Sequence, residues 1–374
     1  MLFSVVRRAS NWVHAAKFKQ LNKKVYDVLY EYTEESPENL KVVKGPDLNK
    51  STDINYILDH YGSMGIQADS LSKGIEEVNK MLEWRLSDEE VKPEDTVRDL
   101  EERKKTKCTV FLGYASIVTT SGLRDIIRWL VQHKLVDCLV TTTGGIEEDF
   151  IKCLGNVYQG DFQMDGVSMR KKGWNRNGNM IIATDDYIKF QEFALPVLDK
   201  MLEEQKQGEV WSPSKLIHRL GREINNEESI YYWAAKNNIP VFCPSITDGS
   251  IGDILYMHNT ANPGLQVDLV SDIRRIYDFA SNSHKTGAVV VGSGLAKHHI
   301  MLSNIIAGGL KHAVYINTAQ EFDASDGGAR PDEGKSWGKI NANAQPVKIF
   351  GEGTLVFPLL VARTFVPYFE KIKV

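Results

Sequence analysis

The chain has 374 residues, 42% of them hydrophobic and 25% charged, enough to fill two or three ordinary domains or one large α/β body. A formal net charge of −4 with no clustered Lys/Arg face argues against nucleic acid as a partner and suits a cationic ligand. No apolar run reaches the length of a membrane span, and Cys108, Cys138, Cys153 and Cys243 form no CxxC pair, which argues for no membrane partner, no metal site and a reducing, cytoplasmic compartment.

From Met1 to Tyr26 there is no acid, while Arg7, Arg8, Lys17, Lys19, Lys23 and Lys24 alternate with apolar residues. That pattern suits a solvated basic helix and, less well, a mitochondrial transit peptide. A helix is expected over Lys24 to Glu34, closed by Ser36-Pro37, and another over Ser70 to Arg85, where Leu71, Ile75, Val78 and Leu82 recur at helical spacing. The charged stretch Ser87 to Lys107 is the best candidate linker. Residues 1–44 read as an N-terminal extension and 45–374 as one body.

After the linker, short apolar runs alternate with helical patterns. Strands are expected at Cys108–Gly113, Val136–Thr142, Met180–Thr184, Pro240–Cys243, Gln266–Val270, Gly287–Val291, Ala313–Asn317 and Val347–Phe350. Helices are expected at Gly122–Lys134, Ile146–Leu154, Ile251–His258, Ile273–Ala280, Lys297–Ala307 and Leu355–Phe369, with several more up to Lys236. Apolar strands without alternation are covered on both faces, and β followed by α, repeated, predicts a doubly wound, mostly parallel, Rossmann-like α/β sheet with an N-terminal helical extension.

Such sheets bind ligands beyond the carboxyl ends of their strands. There lie Tyr114-Ala115-Ser116, Thr141-Thr142-Thr143-Gly144-Gly145, Thr247-Asp248-Gly249-Ser250 and Gly292-Ser293-Gly294. The last is a partial dinucleotide fingerprint whose third glycine is replaced by Lys297; alone it reads equally well as a tight turn. Glu147, Glu148, Asp248, Asp253, Asp323, Asp326, Asp332 and Glu333 all fall at or beyond strand ends, and would make a negative cleft if they converge. The bland reading of Glu147 to Asp149 is that they complement a helix dipole. Asp323 to Glu333 instead occupies a long loop, where function concentrates. The loop runs into Ser336-Trp337-Gly338-Lys339, in which a neighbouring indole disfavours the lysine's charged form while the acids favour it. His298-His299 offers a proton acceptor near neutral pH.

These residues resemble one family. LGYAS (Leu112–Ser116), TTTGGIEEDFIKCL (Thr141–Leu154), TDGSIGD (Thr247–Asp253), KHHI (Lys297–Ile300), YINTAQEFDASDGGARPDEGKSWGKI (Tyr315–Ile340) and QPVKIFGEGTLVFPLLVA (Gln345–Ala362) look like deoxyhypusine synthase. The resemblance implies NAD-dependent transfer of the aminobutyl group of spermidine, through an imine on the enzyme, to a lysine of the translation factor five-A precursor. It implies Lys339 as nucleophile, with His298, Glu147, Glu148, Asp253, Asp326, Glu333 and Trp337 around spermidine. For NAD it implies Ser116, Ile117, Val118, Thr119, Thr120, Thr142, Thr143, Gly144, Glu148, Asp248, Ser293, Thr318, Ala319, Glu352 and Gly353. This chain departs from the family pattern with Ile117 for Asn, Thr143 for Ala, Ser293 and Ala324 for Gly, and Glu352-Gly353 for Asp-Ala; these bear on cofactor affinity. The resemblance also implies a homotetramer with sites shared between subunits, the helix Lys24–Glu34 capping a neighbour's entrance. Two other readings stay open: a non-catalytic subunit that activates a paralogue, and an NAD dehydrogenase of another small amine.

Overall fold

The computed structural model describes residues 40–93, 95–292 and 294–373. The extension helix expected over Lys24–Glu34, and Ser293, lie outside the described residues. Met1–Val43 is a unit of its own, described only at residues 40–43, and Lys44–Val374 is a second.

Helices α1 (Ile54–Asp59), α2 (Ile66–Glu83) and α3 (Leu100–Lys105) lead into the alternating region. There β1 (Thr109–Tyr114), α4 (Ser116–Thr120), α5 (Leu123–Gln132), β2 (Cys138–Thr141) and α6 (Thr143–Leu154) follow in order. A small section comes next: β3 (Val157–Gln159), α7 (Gly166–Lys171), β4 (Trp174–Asn177) and β5 (Met180–Ala183). Then come α8 (Thr184–Lys206), α9 (Pro213–Ile224), α10 (Ile230–Asn237), β6 (Val241–Phe242), α11 (Ser250–Ala261) and α12 (Leu269–Ser281). The chain closes with β7 (Thr286–Val291), α13 (Gly294–Ser303), β8 (His312–Asn317), α14 (Pro331–Ser336), β9 (Val347–Phe350), α15 (Gly353–Arg363) and α16 (Phe365–Ile372).

The main sheet is parallel throughout, in the order β6-β2-β1-β7-β8-β9. Its central strands are apolar and buried on both faces, every residue of β2 and β7 included, as a doubly wound sheet requires. Amphipathic helices cover it: α5 buries Leu123, Ile127, Leu130 and Val131, with Arg124 the one charged side chain buried among them. The chain order reverses between β1 and β7, so their following loops part and leave a crevice at the carboxyl edge.

Four expectations are corrected. Met180–Thr184 does not join the parallel sheet; β5 pairs antiparallel with β3 and β4 in a separate three-stranded sheet. Its hairpin turn, Gly178-Asn179, puts Gly178 at φ +63°, which a glycine tolerates cheaply. Gln266–Val270 is no strand, because Asp268 accepts the backbone N–H groups of Val270 and Ser271 and starts α12 instead. The charged stretch Ser87–Lys107 is no linker: Arg103 is 1% exposed and donates to Asp95 Oδ2 and to the carbonyls of Leu86, Glu89 and Val97. The final helix breaks at Thr364 into α15 and α16.

A buried ion pair locks the helices beneath the crevice. Asp149 of α6 accepts from Arg124 Nε of α5 at 2.7 Å, from Ser229 Oγ at 2.5 Å and from Ile230 N of α10 at 3.0 Å. Removing one partner of a buried pair strands the other charge. Arg124→Met is therefore expected to lower unfolding free energy by about 3–5 kcal/mol, measured by urea denaturation.

Candidate active site

The turns after β1 and β2 are stitched together. Ser116 N donates to Thr142 Oγ1 at 3.1 Å, and the two hydroxyls lie 2.5 Å apart. Gly144 lets them approach, since a Cβ there would sit 2.7 Å from Ser116 Oγ. The Thr143 hydroxyl donates to the Ser245 carbonyl, tying β2's turn to the loop after β6. Within α4, Ile117 is half exposed, whereas Val118, Thr119 and Thr120 are buried. Lys152 Nζ caps the carbonyls of Thr119, Thr120 and Ser121, while the two threonine hydroxyls have no partner among the described residues. Asp248 is exposed in the turn after β6.

Across the crevice, Gly292 ends β7 at φ +68°, a left-handed conformation that costs glycine little. Ala319 N donates to Asn317 Oδ1 at 3.1 Å just past β8, beside Thr318. Glu352 caps α15, accepting from Thr354 N at 2.9 Å, and Gly353 sits against β7, where a Cβ would lie 2.9 Å from Val291 Cγ1. Small residues at two strand ends, a left-handed glycine and unpaired buried hydroxyls fit a dinucleotide at the order reversal.

Glu147 and Glu148 are each 6% exposed on α6. Glu147 Oε2 accepts from Ile251 N at the start of α11 at 3.0 Å. Burial pushes its carboxyl up to about 7, against the Ile251 and Ser250 hydrogen bonds and with help from nearby Asp253. Glu148 is pushed up to about 8, first by burial and then by Glu147; Lys152 and Asn177 pull the other way. Burial and both glutamates also drive the Tyr187 phenol of α8 up to about 12. Asp253 stays exposed, one wall of a cavity of about 720 Å³ that Tyr187, Ser250, Asn177 and Arg176 share.

The second group surrounds Lys339. Its main chain is held at both ends: N donates to Gly334 O at 2.9 Å, and O accepts from Leu310 N at 3.0 Å. Its Nζ lies 5.3 Å from the centre of the exposed Trp337 ring. His298 Nδ1 pairs with Asp326 Oδ1 at 3.0 Å. Glu333 is not in the open loop expected from the sequence; Pro331 starts the short α14, and Asp332 and Glu333 occupy its first turn. The loop before it, including Asp323, packs on the start of α13, where a Cβ at Gly294 would lie 3.0 Å from Gly327 N. Lys348 Nζ braces it by donating to Ala319 O at 3.1 Å and Gly328 O at 2.7 Å.

Sequence reasoning passed over Lys297, Asn177, Tyr187 and Lys348. Lys297 is 2% exposed, donates to Ala329 O at 3.3 Å and lies 5.0 Å from the Tyr315 ring centre. Burial pushes its amine down to about 8, opposed by Asp326 and Glu333. The signal was available, since Lys297 shares a helix face with the buried Ile300 and Met301. The structure thus gathers Glu147, Glu148 and Asp253 in one group and His298, Asp326, Trp337 and Lys339 in another. Among the described residues no hydrogen bond or ion pair joins the two.

Comparison with known proteins gives one family. The sequence model of the deoxyhypusine synthases matches residues 56–364. A Senecio vernalis deoxyhypusine synthase is 52% identical, covering 90% of this chain and 92% of its own. Homospermidine synthase 2 of the same plant is 51% identical, covering 88% and 90%. A crystal structure of an Entamoeba histolytica protein designated a deoxyhypusine synthase superposes with a TM-score of 0.64 at 33% identity, covering 87% of this chain and 97% of that one.

A carboxyl that keeps its proton to higher pH in the folded state makes folding proton-linked. The native state binds more protons than the unfolded chain between the ordinary value of 4.5 and about 8, so stability falls as pH rises through that window. Glu148→Gln removes this loss. The variant is expected to melt above the parent protein at pH 8, the two converging below pH 4.5, in calorimetric scans across that range.

Proposed function

Because the chain belongs to the deoxyhypusine synthase family, and so is a transferase, we propose that it carries the 4-aminobutyl group of spermidine through Lys339 to a lysine of the translation factor five-A precursor, with NAD as cofactor. The observation that carries this reading is the Lys339 amine over the Trp337 ring, on the same edge of the sheet as the His298–Asp326 pair.

When bound, NAD supplies the acceptor and later the donor of a hydride. Gly144, Thr142, Ser116, Gly292, Thr318, Ala319, Glu352 and Gly353 would hold it at the crevice. The remaining work falls to the chain's own groups. Glu147, Glu148 and Asp253 hold ammonium groups of spermidine. His298, oriented by Asp326, takes a proton from the amine being oxidised at its adjacent carbon. Lys339 Nζ adds to the resulting C=N carbon and gives up its protons, and 1,3-diaminopropane leaves with the electron pair of the broken C–N bond, giving an imine on Lys339. The acceptor lysine displaces Lys339 in the same way, so the aminobutyl group passes to the acceptor and the Lys339 amine is freed. Trp337 packs along the methylene chain and excludes water.

Family membership supports a homotetramer in which each site draws on two subunits, and among the described residues no hydrogen bond or ion pair joins the two groups. The N-terminal extension over 1–44 would cap a neighbour's entrance, with the enzyme working in the cytoplasm. A second reading concerns the acceptor alone. The homospermidine synthase is nearly as similar as the deoxyhypusine synthase, and its named product is a free polyamine.

Incubation with spermidine labelled in its butyl segment, NAD and the factor precursor is expected to label the precursor. Lys339→Ala should lower that by roughly three orders of magnitude or more. Borohydride added to enzyme, spermidine and NAD should fix an aminobutyl adduct on Lys339, read by mass spectrometry. Label in homospermidine when 1,4-diaminobutane replaces the precursor would support the second acceptor. Activity only after a second chain is added would make this one a regulatory subunit.

A further inference from the structure

The small antiparallel sheet is inserted between α6, which bears the glutamates, and α8, which bears Tyr187. Alternate residues of a strand share a face, so Asn175 and Asn177 of β4 point the same way. Both reach other elements. Asn175 Nδ2 donates to Thr184 Oγ1 at the start of α8 at 3.0 Å, and Asn177 Nδ2 donates to Glu148 Oε1 at 3.0 Å. Asn177 is the last residue of β4, paired with Met180 across the Gly178-Asn179 turn, so the hairpin tip fixes its position.

Glu148 Oε2 is buried without a hydrogen-bond partner among the described residues. A buried carboxyl with one oxygen held and one unpaired is costly unless a ligand's donor completes it. Asn177, the residue bonded to Glu148, also lines a cavity of about 720 Å³ together with Tyr187, Ser250 and Asp253.

We propose that Asn177 is a positioning residue for Glu148: its amide, delivered by the hairpin, holds one carboxyl oxygen and leaves the other for an ammonium of the polyamine. This rests on the reading of the carboxyl cleft as the amine site. The groups acting on Glu148 are Glu147 and Lys152 from its own helix and Tyr187 from α8; Asp253 of α11 acts through Glu147. With Lys152, and against burial and Glu147, the Asn177 amide favours the charged carboxylate. Without it, Glu148 holds its proton to higher pH and its side chain turns freely.

The test uses Asn177→Leu, close in shape but without a donor. Carbodiimide labelling of Glu148 without ligand, followed by mass spectrometry, reads the pH at which the carboxyl ionises. That midpoint is expected to rise by about half a unit or more. Spermidine binding, titrated calorimetrically at pH 7.5, should weaken by about 3- to 10-fold, with its own pH midpoint moving up in step. An unchanged labelling midpoint, with binding lost only as the protein melts earlier, overturns the proposal. Should the leucine variant not fold, Asn177→Asp is expected to raise the midpoint further, and no rise there is equally decisive. If the parent protein fails to bind spermidine while the midpoint still moves, the amine reading falls and the Asn177–Glu148 coupling stands.

Discussion

Between β1 and β7 two neighbouring parallel strands send their chains away in opposite directions, and the turns after the strands on either side line the carboxyl edge of the sheet. Hydrogen bonding forces the two strands together along their length, Thr109 to Tyr114 against Thr286 to Val291. One further bond, from Ala115 N to Val291 O at 3.1 Å, follows the last pair, and then each chain turns to a helix on the opposite face. The gap is a consequence of right-handed crossovers rather than of any residue in it. Small residues such as Gly144 and Gly292 keep the gap from being refilled.

Placing acids on this edge has an electrostatic consequence that differs on the two sides. Glu147 and Glu148 are buried in α6, where loss of water outweighs the few hydrogen bonds they accept, so both keep protons into the neutral range. Asp326 stays in contact with water and His298. One edge of one sheet therefore carries acids of two kinds: a pair that takes its full negative charge when a cation arrives, and a hydrated one that orients an imidazole. A cation entering the first group displaces protons as it binds.

Much of the fold could be read from the sequence, for a definite reason. TVFLGY and TGAVVV are apolar without alternation, and their six-residue length and β-branched or aromatic content decide for a strand buried on both faces over a buried helix. The inserted sheet was harder, since β3 has only three residues, mostly exposed, and its neighbours carry no apolar alternation. Only the Asn-Gly-Asn run hinted at it. The residue types of the site were legible because they follow strands, but their states were not. Whether Glu148 is paired, and Lys297 dry, depends on Asn177 and Ala329, 29 and 32 residues away. The charged run before β1 misled because most of the hydrogen bonds that the buried Arg103 donates go to main-chain carbonyls, which sequence does not display.

The anchoring of Lys339 has a mechanical meaning. Its amide and carbonyl are both engaged, by Gly334 and Leu310, and the next residue, Ile340, is sunk in the core. The base of the side chain is thus a fixed pivot, and all travel resides in four methylenes. Such a tether suits cargo taken from one molecule and surrendered to another when the two never meet. The crane turns while its footing stays still.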